Sequence, residues 1–212
     1  MLLVFTITTI VHLYASLKKN QKLRNISKPW ILLSLLGFYL CSAKQIEMSV
    51  VLALIFSWIG DMFLILVGVK WFTIGGISFM ISHFFFILSY NKYVNFSNVN
   101  TVLAVSLISL FVIAASIIFK YLKPHLPKPL FYPMYLYLVI NGLMNCFAWF
   151  RAMTLSGYAC ILTAIGALLF FISDSSLFFV RFDKNSKLKT HFLVMLTYSF
   201  GELLIVLGLV LA

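Results

Sequence analysis

The chain has 212 residues, of which 63% are hydrophobic and only 10% are charged, and it carries a formal net charge of +11. Apolar runs recur along the whole length with no polar half, which argues against a soluble enzyme and predicts one membrane-embedded helical domain over residues 1–212. The basic residues lie in loops between apolar runs rather than among exposed aromatic residues, so the charge does not indicate a nucleic-acid partner.

The lengths of the apolar runs predict an all-α integral membrane protein with eight transmembrane helices. In chain order the predicted spans are 2–17, 29–43, 48–69, 71–90, 101–119, 133–153, 157–180 and 191–212. The second span is short, so we expect it to be tilted or to begin earlier. The first could instead be a signal peptide, but its positive charges follow the apolar stretch rather than precede it.

Basic residues are distributed unevenly between the two sides of this topology. Three lie on one side, at Lys44, Lys92 and Arg151. Thirteen lie on the other side: Lys18, Lys19, Lys22, Arg24, Lys28, Lys70, Lys120, Lys123, Lys128, Arg181, Lys184, Lys187 and Lys189. Because Lys and Arg accumulate in cytoplasmic loops, both termini are predicted to be non-cytoplasmic. The compact length and the many Asn, Lys and Ile residues favour a bacterial inner membrane.

Three of the five acidic residues lie inside apolar spans. Asp61 is in the third span, Asp174 in the seventh and Glu202 in the eighth. A carboxylate is costly in hydrocarbon unless it is neutralised, paired or hydrated, so an acidic residue inside a membrane span is typical of a functional site. The alternative is that these acids only form hydrogen bonds between helices, which Ser, Thr or Asn would do at lower cost.

Other polar side chains are predicted at a similar depth. At about 1.5 Å per residue, Asp61 and Asp174 lie roughly 10–14 Å from the cytoplasmic ends of their spans. The other members of this set are Tyr198 and Asn141 near the same level, and His83 and Glu202 near the middle of the membrane. The third, fourth, sixth, seventh and eighth spans therefore contribute to one predicted pocket.

A short internal repeat relates the segments around the two aspartates. Residues 59–64 read Ile-Gly-Asp-Met-Phe-Leu and residues 172–177 read Ile-Ser-Asp-Ser-Ser-Leu. The segments are four spans apart and run in the same direction, as two four-helix repeats would require. Asp61 and Asp174 would then face a shared centre.

Several motifs are those of one known family. Lys28-Pro29 opens the second span, Gly-Asp-Met-Phe-Leu occupies residues 60–64, and Gly-Ala-Leu-Leu-Phe-Phe-Ile-Ser-Asp occupies residues 166–174. In the sixth span the spaced residues are Pro133, Tyr137, Met144 and Ala148. With these motifs nearly the whole chain resembles the YhhN-like lysoplasmalogenase family, multi-pass membrane enzymes that hydrolyse the vinyl ether bond of lysoplasmalogens.

The chain departs from the family pattern at two places. In the fourth span the family often has Gly-His-x-x-Tyr, whereas residues 82–86 are Ser-His-Phe-Phe-Phe. In the last span the family usually has Tyr-x-x-small-Gln, whereas residues 198–202 are Tyr-Ser-Phe-Gly-Glu. The second departure puts a third carboxyl, that of Glu202, near the predicted site.

The resemblance implies hydrolysis of a lysophospholipid vinyl ether to a fatty aldehyde and a glycerophospho-base, with no cofactor. Protonation of the carbon β to the ether oxygen gives an oxocarbenium ion that water captures, so the reaction needs a proton donor and a nearby anion. Asp61 and Asp174 fit these roles if one carboxyl stays protonated and the other stays ionised. The sequence leaves open which is the acid.

Six further residues are predicted to bind the substrate or support the site: Lys28, His83, Asn141, Ser173, Tyr198 and Glu202. Lys28 would neutralise the phosphate, although a Lys before a span also fits a snorkelling anchor. His83, Asn141 and Tyr198 also fit structural roles. Glu202 must be neutral or paired, and Tyr198, one turn away, is a candidate partner.

Two other classes remain open. A proton-coupled transporter would use the buried acids as a relay, and two four-helix repeats would suit it. An intramembrane aspartyl protease would also need two facing aspartates, but residues 58–61 lack the first glycine of Gly-x-Gly-Asp, and no Tyr-Asp pair occurs. Neither Cys41, Cys146 and Cys160 nor the His and acidic residues have the spacing of a metal site.

Overall fold

A computed structural model describes residues 1–155, 157–183 and 191–212, and within these ranges the chain forms helices and no strand. The eight α-helices of the described chain are α1 (Leu2–Leu17), α2 (Gln21–Ser42), α3 (Met48–Ile65), α4 (Val69–Asn91), α5 (Thr101–Leu122), α6 (Phe131–Thr154), α7 (Tyr158–Phe182) and α8 (His191–Val210). Short 3-10 turns occupy Phe96–Asn98, Lys123–His125 and Lys128–Leu130. The predicted all-α fold is therefore confirmed.

The helices from α3 to α8 are long and apolar enough to cross a membrane, six in all among the described residues. Helix α1 is apolar but has only 16 residues. Helix α2 has 22 residues and a polar first turn. This set of long apolar helices makes the chain a multi-pass membrane protein.

Helix α2 begins earlier than its apolar stretch indicates. The side chain of Asn20 accepts a hydrogen bond from the backbone N–H of Leu23, which caps the helix one residue before Gln21. Pro29 lies inside the helix, and its carbonyl oxygen accepts a hydrogen bond from Nε1 of Trp58 at 3.1 Å. The expectation that the second span starts before residue 29 is thus correct. The hydrogen bond at the proline also connects α3 to α2.

The end of α3 lies earlier in the chain than the sequence predicted. The third span was predicted to run to residue 69, but α3 ends at Ile65 and α4 begins at Val69. Gly68 has φ of +127°, a backbone conformation that side chains disfavour, so it permits the sharp turn. Asp61 consequently lies only four residues, about 6 Å, from the end of α3, not 10–14 Å.

Two helix pairs, α3–α4 and α7–α8, make the most extensive contacts in the bundle. Glycines let the backbones approach: a Cβ on Gly60 would lie 2.6 Å from the ring of Phe79, and one on Gly166 would lie 2.6 Å from the carbonyl oxygen of Gly201. Small residues at helix crossings are typical of membrane proteins. Asp61 directly follows Gly60, so one of these crossings positions a predicted site residue.

The basic residues follow the connections between helices. Of the thirteen on the more basic side, Lys184, Lys187 and Lys189 lie outside the described residues. The others are at or near the ends of helices that meet at the α1–α2, α3–α4, α5–α6 and α7–α8 connections. This end of the bundle is called the basic end below.

Candidate active site

Asp61 is held by partners from two other helices. Its side chain is buried, and its Oδ1 forms a salt bridge of 3.0 Å with Nζ of Lys28 on α2. The hydroxyl of Tyr198 on α8 donates a hydrogen bond of 3.0 Å to Oδ2 of the same carboxylate. A cation and a hydrogen-bond donor on separate oxygens stabilise the ionised form, so Asp61 is arranged as an anion.

Asp174 has neutral partners, and both lie on α6. The hydroxyl of Tyr137 donates a short hydrogen bond to its Oδ2, and Nδ2 of Asn141 donates another of 2.8 Å to the same oxygen. Nε2 of His83 lies 3.9 Å from that oxygen, which is beyond hydrogen-bond distance. Among the described residues Oδ1 has no hydrogen-bond partner, so it is the oxygen that could carry a proton.

Aromatic rings pack against the neighbours of both carboxyl groups. The ring of Phe170 packs edge-on against Tyr198, with 5.3 Å between centroids, and against His83, with 5.0 Å. Phe79 also packs edge-on against Tyr198, at 6.1 Å. Phe170 therefore contacts both the partner of Asp61 and a neighbour of Asp174.

Both carboxyl groups line one open pocket at the basic end of the bundle. The pocket encloses about 690 Å³, including the solvent at its mouth, and reaches between α1, α2, α3, α4, α7 and α8. Its wall also includes Ser173 and Tyr198. Predicted residues from α2, α3, α7 and α8 therefore line one cavity, whereas those predicted from the fourth and sixth spans do not.

The rim of this pocket is basic. Arg24 and Lys28 on α2, Arg181 near the end of α7 and His191 at the start of α8 line it, together with His12 of α1. Sequence reasoning assigned only Lys28 to the site and took Arg24 and Arg181 as topology signals. Arg24 lies one helical turn from Lys28 and Arg181 lies two turns from Asp174, and this spacing could have indicated that they belong to the site. A rim of this charge can hold a phosphate or carboxylate group.

Three predicted residues lie behind the pocket wall rather than on it. His83, Asn141 and Glu202 are fully buried at 0% exposure, and none of them lines the pocket. Asn141 acts through its hydrogen bond to Asp174. Neither ring nitrogen of His83 has a hydrogen-bond partner in the described part of the chain. Asn141 is thus a hydrogen-bond partner of Asp174, whereas His83 lies beside Asp174 without a bond to it.

Tyr198 is not the partner of Glu202, because its hydroxyl donates to Asp61 instead. Neither carboxyl oxygen of Glu202 has a hydrogen-bond partner of good geometry within the described ranges. Ser57 of α3 interacts with the Glu202 carboxyl, and its hydroxyl is bonded to that of Ser82 at 2.7 Å. The expectation that Tyr198 pairs with Glu202 is therefore wrong, since the two side chains leave α8 towards different neighbours.

Ser173 has a structural contact beside the site. Its hydroxyl donates a hydrogen bond of 2.8 Å to the backbone carbonyl of Val194 on α8. This bond ties α7 to α8 one residue before Asp174. Ser173 thus positions the Asp174 backbone while its side chain also faces the pocket.

Tyr137 was not predicted as a site residue, yet it makes the shortest contact with Asp174. It lies one turn before Asn141 on the same face of α6, and this i, i+4 spacing was a usable signal. Its ring also packs edge-on against His83, with 5.4 Å between centroids. Tyr137 therefore belongs to the site as a direct partner of a carboxyl group.

Comparison with known proteins identifies one family. A family model described as the YhhN family matches residues 23–209 of the chain. Among curated proteins and among solved structures, no significant match is found. The matched range contains Lys28, Asp61, Asp174 and Glu202, so the candidate site lies entirely within the part of the chain that the family model describes.

Proposed function

The chain belongs to the YhhN family, and from this we propose that it is a lysoplasmalogenase-like hydrolase that cleaves the vinyl ether bond of a lysophospholipid. The observation that carries the proposal is the pairing of two buried carboxyl groups, in contrasting surroundings, on one cavity with a basic rim. Acid-catalysed opening of a vinyl ether needs this combination of a proton donor and an anion. The products would be a fatty aldehyde and a glycerophospho-base.

Asp174 is assigned as the proton donor and Asp61 as the ionised carboxylate. Asp61 is in contact with Lys28, whose charge balances that of the anion. Within the described part of the chain, Asp174 has hydrogen bonds only from the neutral groups of Tyr137 and Asn141, and both reach one oxygen. A carboxyl with one engaged oxygen and one free oxygen is suited to hold a proton and deliver it from a fixed direction.

The reaction proceeds in three steps from this arrangement. Asp174 gives its proton to the alkenyl carbon β to the ether oxygen, and positive charge develops on the α carbon and that oxygen, near the Asp61 carboxylate. Water then adds to the α carbon and returns one proton to Asp174, which gives a hemiacetal. Transfer of the hemiacetal hydroxyl proton to the ether oxygen, with cleavage of the C–O bond, releases the aldehyde and the free alcohol.

The basic rim supports a phosphate-bearing substrate. Arg24, Lys28 and Arg181 come from two helices and line the same mouth. Arginine binds phosphate through several N–H donors, whereas lysine acts as a point charge. A lysophospholipid head held at this rim would place its glycerol ether linkage a short distance further in, where the two carboxyl groups lie.

The membrane arrangement is also part of the proposal. All eight α-helices would cross the bilayer as one domain over residues 1–212, with the basic end in the cytoplasm and both termini on the other side of a bacterial inner membrane. The matching close packing of α3–α4 and of α7–α8, each carrying one aspartate, supports two four-helix repeats.

The test is an assay of the purified protein in detergent with no ion gradient. Release of fatty aldehyde from an alkenyl lysophospholipid, and none from its saturated alkyl analogue, is the expected result, because only the vinyl ether can be protonated at carbon. The competing function is a proton-coupled transporter, which the buried carboxyl of Glu202 favours, since among the described residues it has no charged partner. Absence of aldehyde, together with vesicle uptake that an ionophore abolishes, would replace the hydrolase by the transporter.

A further inference from the structure

A second, apolar groove opens between α4, α6 and α7. It encloses about 340 Å³, and its lining is apolar except for Thr73 and the hydroxyl of Tyr137. We propose that this groove receives the hydrocarbon chain of the substrate, which enters sideways from the membrane, and that Gly76 determines which chains fit. The proposal rests on the hydrolase function above and names the part of the substrate that the groove recognises.

A third cavity shares lining residues with the groove and with the active-site pocket. This cavity, called the passage below, spans about 280 Å³ including open space, and Asp174 and Tyr137 line it. The passage shares Phe79 and Leu177 with the pocket, and Gly76 and Phe178 with the groove. A linear molecule that extends from the basic rim into the groove therefore passes directly beside the Asp174 carboxyl.

This order of surroundings matches the order of groups along a lysoplasmalogen. The phosphate comes first and fits the rim that Arg24 and Arg181 provide. The vinyl ether comes next and lies in the passage at Asp174. The hydrocarbon chain comes last and lies among side chains such as Met80, Met134 and Phe178. The groove thus has a specified occupant, the single alkenyl chain of the substrate.

The groove also gives the chain a route from the bilayer. Ile77 on its α4 side is 45% exposed on the outer surface of the bundle, where lipid chains would lie. On the opposite side it is lined by Leu126 and Leu130, in the connection between α5 and α6 at the basic end. A lipid of the leaflet at that end can slide its chain into the groove while its head stays at the interface.

The groove selects a chain by shape rather than by hydrophobic affinity. A chain that moves from lipid into an apolar groove leaves one hydrocarbon environment for another, so burial supplies little net driving force. Recognition then depends on whether the chain fits alongside the lining residues. A change in the groove is expected to alter the preference among chain lengths more than the binding of the head.

Gly76 is the residue at which the groove can be altered without disturbing the bundle. A Cβ built on Gly76 would meet no atom within 4 Å, and the residue lines both the passage and the groove. Its neighbour Gly75 differs, because a Cβ there would lie 3.1 Å from the backbone oxygen of Gly60. A larger side chain at residue 76 therefore projects into the space that the hydrocarbon chain would occupy.

The experiment compares Gly76→Ala and Gly76→Leu with the wild-type protein, using alkenyl lysophospholipids with short and long chains. Ser109→Leu is the matched control, since Ser109 is exposed on α5 and away from the groove. We expect Gly76→Leu to lower the long-to-short ratio of kcat/KM by about tenfold or more, with an intermediate effect for Gly76→Ala and none for Ser109→Leu. An unchanged ratio in both residue-76 variants would overturn the groove assignment.

A binding measurement separates this inference from the proposed function. A radiolabelled alkyl-ether lysophospholipid, which has no vinyl bond to cleave, is bound to each variant in nanodiscs. Weaker binding of the long-chain analogue to Gly76→Leu, together with no aldehyde from any alkenyl substrate, would remove the hydrolase and keep the groove. Full hydrolysis with identical long-chain binding in all variants would keep the hydrolase and remove the groove.

Discussion

Lys28 and Asp61 form a buried salt bridge of 3.0 Å that joins α2 to α3 in the candidate site. The side chain of Lys28 is 14% exposed and that of Asp61 is 3% exposed, so neither charge is well solvated. Each charge is therefore stabilised mainly by the other. The Asp61 carboxylate is also stabilised by the hydrogen bond from Tyr198. This pair makes the two aspartates unequal, because no Lys or Arg among the described residues forms a salt bridge with Asp174.

Replacement of either aspartate by asparagine is expected to reduce aldehyde release by about 100-fold or more, since general acid catalysis alone contributes about 10²–10⁴. Asp61→Asn and Asp174→Asn are compared as purified proteins that elute like the wild type. The control is Glu47→Gln, the same type of change at the opposite end of the bundle. Near-normal turnover in either aspartate variant would contradict the proposed roles.

Removal of Lys28 alone is expected to destabilise the protein more than removal of the whole pair. Lys28→Met leaves the Asp61 carboxylate buried without its cation, which typically costs about 3–5 kcal/mol. Lys28→Met/Asp61→Asn contains no uncompensated charge at this position and should recover much of the lost stability. Thermal unfolding of the two variants gives the comparison, and equal loss of Tm in both would show that the salt bridge is not the relevant interaction.

Glu202→Gln is expected to retain most of the activity at pH 7 and to extend it to higher pH. Glutamine preserves a donor and an acceptor in the space beside Ser57, and it removes a buried group that would add negative charge near the site on deprotonation. The pH dependence of kcat/KM measures the effect. A loss as large as that of Asp61→Asn would instead place Glu202 among the catalytic residues.

The crossing of α7 and α8 is expected to tolerate no added methyl group. Gly166→Ala would bring its Cβ to 2.6 Å from the carbonyl oxygen of Gly201, so the helices must separate, at a cost of about 1–3 kcal/mol. Gly76→Ala is the control, because it adds the same methyl group where no atom lies within 4 Å. Equal thermal stability of the two variants would show that this crossing is more compliant than its geometry indicates.

The proposed topology is tested by reporter fusions that are active on only one side of the membrane. A fusion at Ala212 and one inserted between Arg181 and Thr190 are expected to report opposite sides, because α8 would separate them. The positive-inside distribution places the second fusion in the cytoplasm. Reports from the same side would show that the number of crossings, and with it the position of both termini, is wrong.

The sequence could predict that some site residues lie close together, because position within an apolar span gives approximate depth in the membrane. Distance along a helix follows from residue count, and charged loops mark its ends, so Asn141 and Asp174, which are hydrogen-bonded, were predicted near one level. Residue count does not show how each helix is rotated about its axis. It therefore does not show which neighbouring helix a given side chain faces. For this reason Tyr198 was paired with Glu202 on its own helix instead of with Asp61 on α3.

The helix boundaries show a related limit. The stretch from residue 48 to 69 is apolar across the end of α3, so hydropathy gave no sign of the turn at Gly68. In α6 the spacing of Tyr137 to Asn141 puts both side chains on one face of the helix, but spacing does not show that this face meets Asp174 on α7. Such distinctions depend on how the helices are rotated against each other.

The two aspartates are carried by separate helix pairs, α3–α4 and α7–α8, each closed internally by glycine contacts. The hydrogen bond between Tyr198 and Asp61 crosses from one pair to the other, together with edge-on aromatic contacts such as Phe79 with Tyr198 and His83 with Phe170. Packing between the pairs is less extensive than packing within each pair, so a harsh detergent is expected to separate the two pairs before the individual helices unfold. Inactive preparations would keep full helical circular dichroism, and transfer into lipid would restore their turnover without any refolding of the helices.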